Sequence, residues 1–441
     1  MIYPNSSARV LHGLVFCAFL VASVLAASSA SAANLTVICP SGGPGAYSSI
    51  NAALSTLDLQ GPHTITVSGT CHENVAVTER DRLTIQAVAG QYATIENAAA
   101  PAATTLYIAG SHNIFLDHLI IGGGAPAMYV SASSGDIHMQ NCTVQNSLND
   151  GLDIDMESML LIENSTIKNN SGAGIFISNQ SQLTMGTYPT QRVLITGNGF
   201  GGLGNGTDGL NIDGSNVQVN FGVLTVDGNQ GAGISMEGGR LQLYGGEADS
   251  PGVIQNNHTG LRINDAASAT LWSAFQIHNN GSTGISVNGA SSITFYSTID
   301  SKGKDAVTTI DGHSTVGLTV SQSSSAQLYG AHVIRNNGSA NAGSGGGVSL
   351  ERASLTIGGG TSVSSNVGTG ILGDANSSLV LGPTTSVTNN SSTGIRLRHV
   401  SLVGLTAPVT IQGNGGANIA CDSTSLAYGQ LAGITGVQCG E

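Results

Sequence analysis

A short phrase recurs along the chain: Gly, an aliphatic residue, any residue, then another aliphatic. It starts at Gly151, Gly174, Gly209, Gly233, Gly260, Gly284, Gly347, Gly370 and Gly394; the steps include 23, 24, 24, 23 and 24 residues, with longer ones of 35 and 27 where the chain inserts a loop. Within each unit apolar and outward residues alternate with period two, so no helical repeat fits. In GISVNGASSITF, Ile285, Val287, Ile293 and Phe295 point one way and Ser286 and Thr294 the other. A second mark runs in phase: an aliphatic residue is followed three positions later by Asn, at Asn170, Asn198, Asn229, Asn257, Asn280, Asn337, Asn366, Asn390 and Asn414. If each repeat is one coil of a parallel solenoid, these side chains stack ~4.8 Å apart, the strand spacing. Each amide can then donate to the carbonyl of the next, satisfying polar groups buried in a tight turn. Gly197 and Gly228 supply the positive φ such a turn needs. Three short strands per coil enclose an Ile/Val/Leu core.

These coils resemble those of the right-handed parallel β-helix, or pectin-lyase-like, superfamily, over roughly residues 36 to 439. The expected fold class is therefore all-β. The opening segment, YSSINAAL, TITVSGTCHENVAV and RLTIQAV, is also similar to that group. Ile50, Ala53, Leu54 and Leu57 have i, i+3, i+4, i+7 spacing, so a short amphipathic helix is expected to close the first coil and shield its edges. The expected organisation is a signal peptide over 1–33, an N-terminal cap over 34–62, the repeat domain over 63–415 and a C-terminal cap over 416–441. Between Ile299 and Tyr329 the pattern loosens, and His313 is the candidate to replace a ladder Asn.

Arg9, the apolar run Leu14–Leu25 and Ala30-Ser31-Ala32 read as an export signal, so the mature chain is expected to be secreted, periplasmic or extracellular. The run is too short to span a bilayer. Of the cysteines beyond it, Cys39 and Cys71 lie near the start and Cys421 and Cys439 near the end, which in an exported chain predicts one disulfide clasp at each terminus. Cys142, left over, falls at an inward position and reads as a buried inert thiol. A formal net charge of −13 removes nucleic acid and anionic lipid as default partners. With only 9% charged residues, the chain is not a charge-rich disordered tail.

Counting each anchor Gly as zero, positions two and four are expected to face solvent on one sheet. They read Asp153 and Asp155, Phe176 and Ser178, Asn211 and Asp213, Ser235 and Glu237, Arg262 and Asn264. The candidate catalytic residues are Asp155, Asp208, Asp213, Glu237 and Arg262. Asp213 and Glu237, one coil apart at ~5 Å, suit a retaining-glycosidase pair, and Asp155 and Asp213 at ~9.5 Å fall at the wide end of the inverting range. Close carboxylates share a proton or a cation, for which calcium is the natural choice outside the cell, although no motif specifies it. Arg262 is placed to meet a sugar carboxylate, or simply to balance Glu237. NGTDGLNID, residues 205 to 213, is similar to the asparagine-threonine-aspartate element of polygalacturonases, which implies a catalytic acid at Asp208. That family's paired aspartates, Gly-His-Gly and Arg-Ile-Lys are missing. Leu116-Asp117-His118 echoes a pectate-lyase strand without its companion signatures. No catalytic set is complete. The leading expectation is a scaffold that binds an extracellular or cell-wall polysaccharide or a surface partner. The alternatives are a polysaccharide lyase, hydrolase or epimerase, and a structural or adhesive element.

Overall fold

The computed structural model describes residues 32–97, 103–188, 190–201, 206–220, 223–338 and 346–439. The export signal falls almost wholly on residues 1–31, outside them, as does Asn205. Among the described residues the strands form three parallel sheets of 16, 14 and 15 strands, here sheets 1, 2 and 3 in the order one coil visits them, plus a two-stranded hairpin. One coil shows the path: Met159–Glu163 in sheet 1, Ser165–Lys168 in sheet 2, Ile175–Ile177 in sheet 3. Each strand pairs in register with its counterpart one coil on, as Ile154 with Ile177 and Ile177 with Ile212. Inward residues therefore stack in apolar files, and Ile154, Ile177, Ile212, Met236, Ile263 and Val287 are all fully buried. No helix of the described residues is long and apolar enough to cross a membrane.

The corner between sheets 2 and 3 is held by the asparagine file. The Asn229 amide donates to Asn257 Oδ1 at 2.9 Å and to the Ile195 carbonyl at 3.3 Å, while its own Oδ1 accepts from both the amide (2.9 Å) and the backbone N–H (3.0 Å) of Asn198. Both ends of each side chain are thus used, which permits its burial. Asn280 is followed by His313, whose Nδ1 faces the Asn280 N–H at 3.2 Å and whose own N–H donates to Asn337 Oδ1 at 3.1 Å. The anchor glycines are explained by the same corner. A Cβ at Gly209 would lie 2.6 Å from the Gly233 carbonyl and 2.7 Å from the Asn229 amide nitrogen. A second file, of serines, lines the corner between sheets 3 and 1: Ser134, Ser158 and Ser181 each accept a backbone N–H from the preceding coil at 3.2 Å.

At the N-terminus, helix α1 (Ile50–Leu54) buries Ile50, Ala53 and Leu54. Its first N–H groups, at Ile50 and Asn51, donate to the Glu73 carboxylate at 2.6 and 3.0 Å, favourable placement for a negative charge. Disulfides join Cys39 to Cys71 and Cys421 to Cys439. Parallel pairing starts at Ala33 and continues into the strand Leu426–Gly429. In the loosened segment, a hairpin of Thr298–Ile299 with Asp305–Ala306 leaves the coil, after which Thr308–Asp311 rejoins sheet 2 in register with Phe275–His278.

Replacing Asn229 by Leu strands the backbone N–H and the amide of Asn198. At about 1–3 kcal/mol for each buried group left without a partner, Asn229→Leu is expected to lower the unfolding temperature by many degrees in a thermal melt followed by circular dichroism. An unchanged melt would show that apolar packing alone holds the coils.

Candidate functional site

The outward face of sheet 3 carries two adjacent files of side chains. In the first, Tyr107, Tyr129, Asp153, Phe176, Asn211, Ser235 and Arg262 lie in register on successive coils. In the second, Asp213, Glu237 and Asn264 are in register, with Asp155 and Ser178 on the preceding coils. The Tyr107 and Tyr129 rings are 5.6 Å apart. Asp153 is therefore set between Tyr129 on one side and Phe176 on the other.

The carboxylates of this face meet three different fates. Asp155 is pulled up by burial, but hydrogen bonds from Asn179 (2.6 Å), the Met156 N–H (2.7 Å), Ser178 (3.0 Å) and Tyr129 (3.2 Å) outweigh that and hold it below the usual carboxylate value. Asp208 is buried. Its Oδ1 accepts the Ala232 N–H at 2.6 Å and its Oδ2 pairs with Arg262 at 3.0 Å. Burial still raises its pKa against the pull of Arg262. Asp153 has no such help. Its Oδ1 is buried without a hydrogen-bond partner. Burial, then the neighbouring Asp150 and Asp155, push its pKa up to about 7. Tyr129, over the same carboxylates, is pushed to about 12 by burial and by Asp155 and Asp153. One strand thus presents a carboxylic acid and a fixed carboxylate two residues apart, ~6.6 Å along the backbone. Asp153 can therefore give up or take a proton near neutrality, whereas Asp155 stays a fixed negative charge.

The residues singled out from sequence divide accordingly. Asp155 joins Asp153 and Tyr129. Arg262 does not balance Glu237. Its Nε donates to Ser235 Oγ at 3.0 Å and its guanidinium reaches Asp208, two coils back. The reason is electrostatic: Asp208 is a buried carboxylate that needs a cation, whereas Glu237 is exposed to water in the other file. Asp208 is thereby committed to a backbone amide and an ion pair. Asp213 and Glu237 are in-register neighbours, both exposed. Ser178 and Ser235, expected to face solvent, are buried under their neighbours. Tyr107 and Tyr129 were missed because Thr105 and Ala127 stand where later coils have the anchor Gly. The alternation in LYIA and MYVS was the available signal.

Elsewhere the chemistry is structural. Cys142 is buried, and burial pushes its thiol up to about 12. Among the described residues, the one cluster with metal-ligand spacing is Cys39, Cys71 and Glu73, whose sulfurs form a disulfide. Glu247 and Asp249, whose side chains are open to water, clamp the hairpin through Lys302 and Lys304 at 2.6–3.3 Å.

A family model described as "Right handed beta helix region" matches residues 63–207. The fold of the chain is a parallel β-helix, and residues 63–207 match the right-handed form. No curated protein matches it in sequence. Among solved structures, this β-helix is similar to the crystal structure of pectate lyase Pel9A, at 12% identity and TM-score 0.29, over 91% of this chain and 82% of that one. It is also similar to the catalytic domain of a GH87 alpha-1,3-glucanase in complex with tetrasaccharides, at 10% identity and TM-score 0.23, over 92% and 68%.

The Asp153 environment gives a pH signature. From 3.8 to about 7 the native chain keeps a proton that the unfolded chain has lost. The native state then binds more protons, so this group's contribution to stability falls as pH rises. Asp153→Asn is expected to raise the unfolding temperature relative to the parent chain more at pH 8 than at pH 5. An equal difference at both pH values would remove the assignment.

Proposed function

We propose that this chain is an exported β-helix that binds a polysaccharide across the outer face of sheet 3, at the coils bearing Tyr107, Tyr129, Asp153 and Phe176. The observation that carries this reading is the Asp153 carboxyl, one oxygen of which is buried without a hydrogen-bond partner, in register between Tyr129 and Phe176 on an outward file. Aromatic flanks offer apolar surface to a sugar ring, and a neutral carboxyl can both donate to and accept from a hydroxyl. With Asp155, Asp213 and Glu237 along this face, it favours a neutral or amino-bearing glycan and repels a polyuronate unless a cation such as calcium intervenes. The two disulfides fit an oxidising compartment.

The split in acidity between Asp153 and Asp155 favours a second reading, glycoside hydrolysis. In that reading protonated Asp153 donates to the leaving oxygen as the glycosidic bond breaks, ionised Asp155 stabilises the positive charge developing at the sugar, and a water adds at the anomeric carbon and returns its proton to Asp153. Asp155 is too well solvated by its donors to act as a strong base.

The test is incubation of the full chain with neutral glycans, chitosan-type polymers and polyuronates, with and without calcium, scoring both retention on the polymer and new reducing or unsaturated ends. Retention on a neutral or amino-bearing glycan that drops at least tenfold in Asp153→Ala is expected. New reducing ends that vanish in Asp153→Asn would establish the hydrolytic reading. Absence of retention on every polymer defeats the binding proposal.

A further inference from the structure

Thr187 lies in a turn, yet its surroundings are those of a nucleophile. The turn joins the strand Gln182–Met185 of sheet 1 to Arg192–Thr196 of sheet 2. Thr187 is exposed at the rim, but its hydroxyl is directed between two buried side chains, Glu163 and Gln191. It donates to Glu163 Oε1. Glu163 ends the strand Met159–Glu163 on the preceding coil. Its other oxygen receives the Nε2–H of His138 at 2.9 Å, from one coil further back, and the His138 ring is steadied edge-on against Phe115 at 4.9 Å. Three successive coils thus supply an imidazole, a carboxylate and a hydroxyl, each bonded to the next.

Gln191 completes the arrangement. Its Oε1 accepts the backbone N–H groups of Thr187 at 2.7 Å and Tyr188 at 3.0 Å, which also fixes which end of the amide is the oxygen. The same Oε1 lies 3.1 Å from the Thr187 hydroxyl oxygen. A hydroxyl has one proton, and with that proton held by Glu163 its lone pairs face the carboxamide. A C=O bond is ~1.23 Å long, so Gln191 Cδ is at most ~4.3 Å from the Thr187 oxygen.

We propose that Thr187 and Gln191 join autocatalytically into a side-chain ester, with Glu163 as the base. The Thr187 oxygen bonds to Gln191 Cδ while its proton passes to Glu163. The carbonyl oxygen becomes an oxyanion held by the Thr187 and Tyr188 N–H groups. Glu163 then hands the proton to the amide nitrogen, the Cδ–Nε2 bond breaks, and ammonia departs through the open hollow of about 400 Å³ that Thr187 lines. The step needs no outside reagent. His138 is a positioning residue that orients the Glu163 carboxylate toward the hydroxyl. Holding nucleophile and acyl group in one turn raises their effective concentration, to roughly 10⁵–10⁸ M in well-oriented cases. Burial of Glu163 and Gln191 keeps water from the product. The ester locks the turn covalently at the corner between sheets 1 and 2, and it stands whether or not the face bearing Asp153 binds a glycan.

The experiment is mass spectrometry of the folded full chain, afterwards denatured and digested with trypsin to release peptide 169–192, which holds both residues. The expected peptide is lighter than its sequence by one ammonia and yields no fragments from breaks between Thr187 and Gln191, because the ester keeps the halves joined. Hydroxylamine opens it and leaves Gln191 as a hydroxamate. Thr187→Ser retains the loss of ammonia and Thr187→Val abolishes it. Glu163→Gln lowers the esterified fraction at least tenfold, with circular dichroism showing the fold of each variant. His138→Gln, which can still donate to Glu163, keeps the ester, whereas His138→Phe lowers the fraction formed in a fixed time several-fold. A peptide of full mass from the parent chain overturns the proposal, whatever the variants do. So does an ammonia loss that Thr187→Val leaves in place, which would belong to a succinimide at an asparagine. An ester undiminished in Glu163→Gln overturns the assignment of the base.

Discussion

The amide file at the corner between sheets 2 and 3 sets the position of everything else. Each asparagine bonds forward to the next coil and backward to the one before, as Asn229 does with Asn257 and Asn198. A slip of one residue would break two bonds at every level and turn each apolar file outward, since strand side chains alternate with period two. The corner thereby fixes the register of all three sheets at once. His313 is accepted in the file because an imidazole can also receive one N–H while its other nitrogen, 3.0 Å from the Ile277 carbonyl, donates. Burial lowers its pKa to about 4, which keeps the ring in the neutral form this role requires.

Identical side chains acquire different chemistry from their neighbours. Asp153 lies on a strand of sheet 3, Asp155 just past the end of that strand and Asp208 just before another. Four donors keep Asp155 ionised, an arginine and a backbone N–H pair with Asp208, and burial beside Asp150 and Asp155 pushes the pKa of Asp153 up to about 7. The distinction is a matter of which residues sit one or two coils away, from 23 to 54 positions off in the chain. Both proposed sites follow from this arithmetic of stacking.

Much of that was legible in the sequence, for a definite reason. The ladder asparagines and anchor glycines are constrained at every coil, so they repeat visibly. The alternation around Ile285 and Val287 then gives the sheet. What escaped reading lacked a repeated constraint. The serine file is interrupted by residues such as Ala267 and Ala353, and serine is common throughout the chain. Tyr107 and Tyr129 precede the first anchor Gly. The Arg262–Asp208 pair depends on burial depth, which alternation reports only as inward or outward. Register across Ile299–Tyr329 was hidden by the hairpin insertion. The contact of Thr187 with Gln191 was invisible because it belongs to a turn of no periodic character.

That turn and the hairpin share a property. Both leave the coil at a corner, between one strand and the next, and the sheets resume in register beyond them. Corners are thus where the chain can gain or lose residues without disturbing the stacked files. A floor of fixed pitch bordered by freely exchangeable loops behaves like a workbench with interchangeable fences. Selectivity for a guest can then drift through insertions alone, while the cylinder that carries it stays the same.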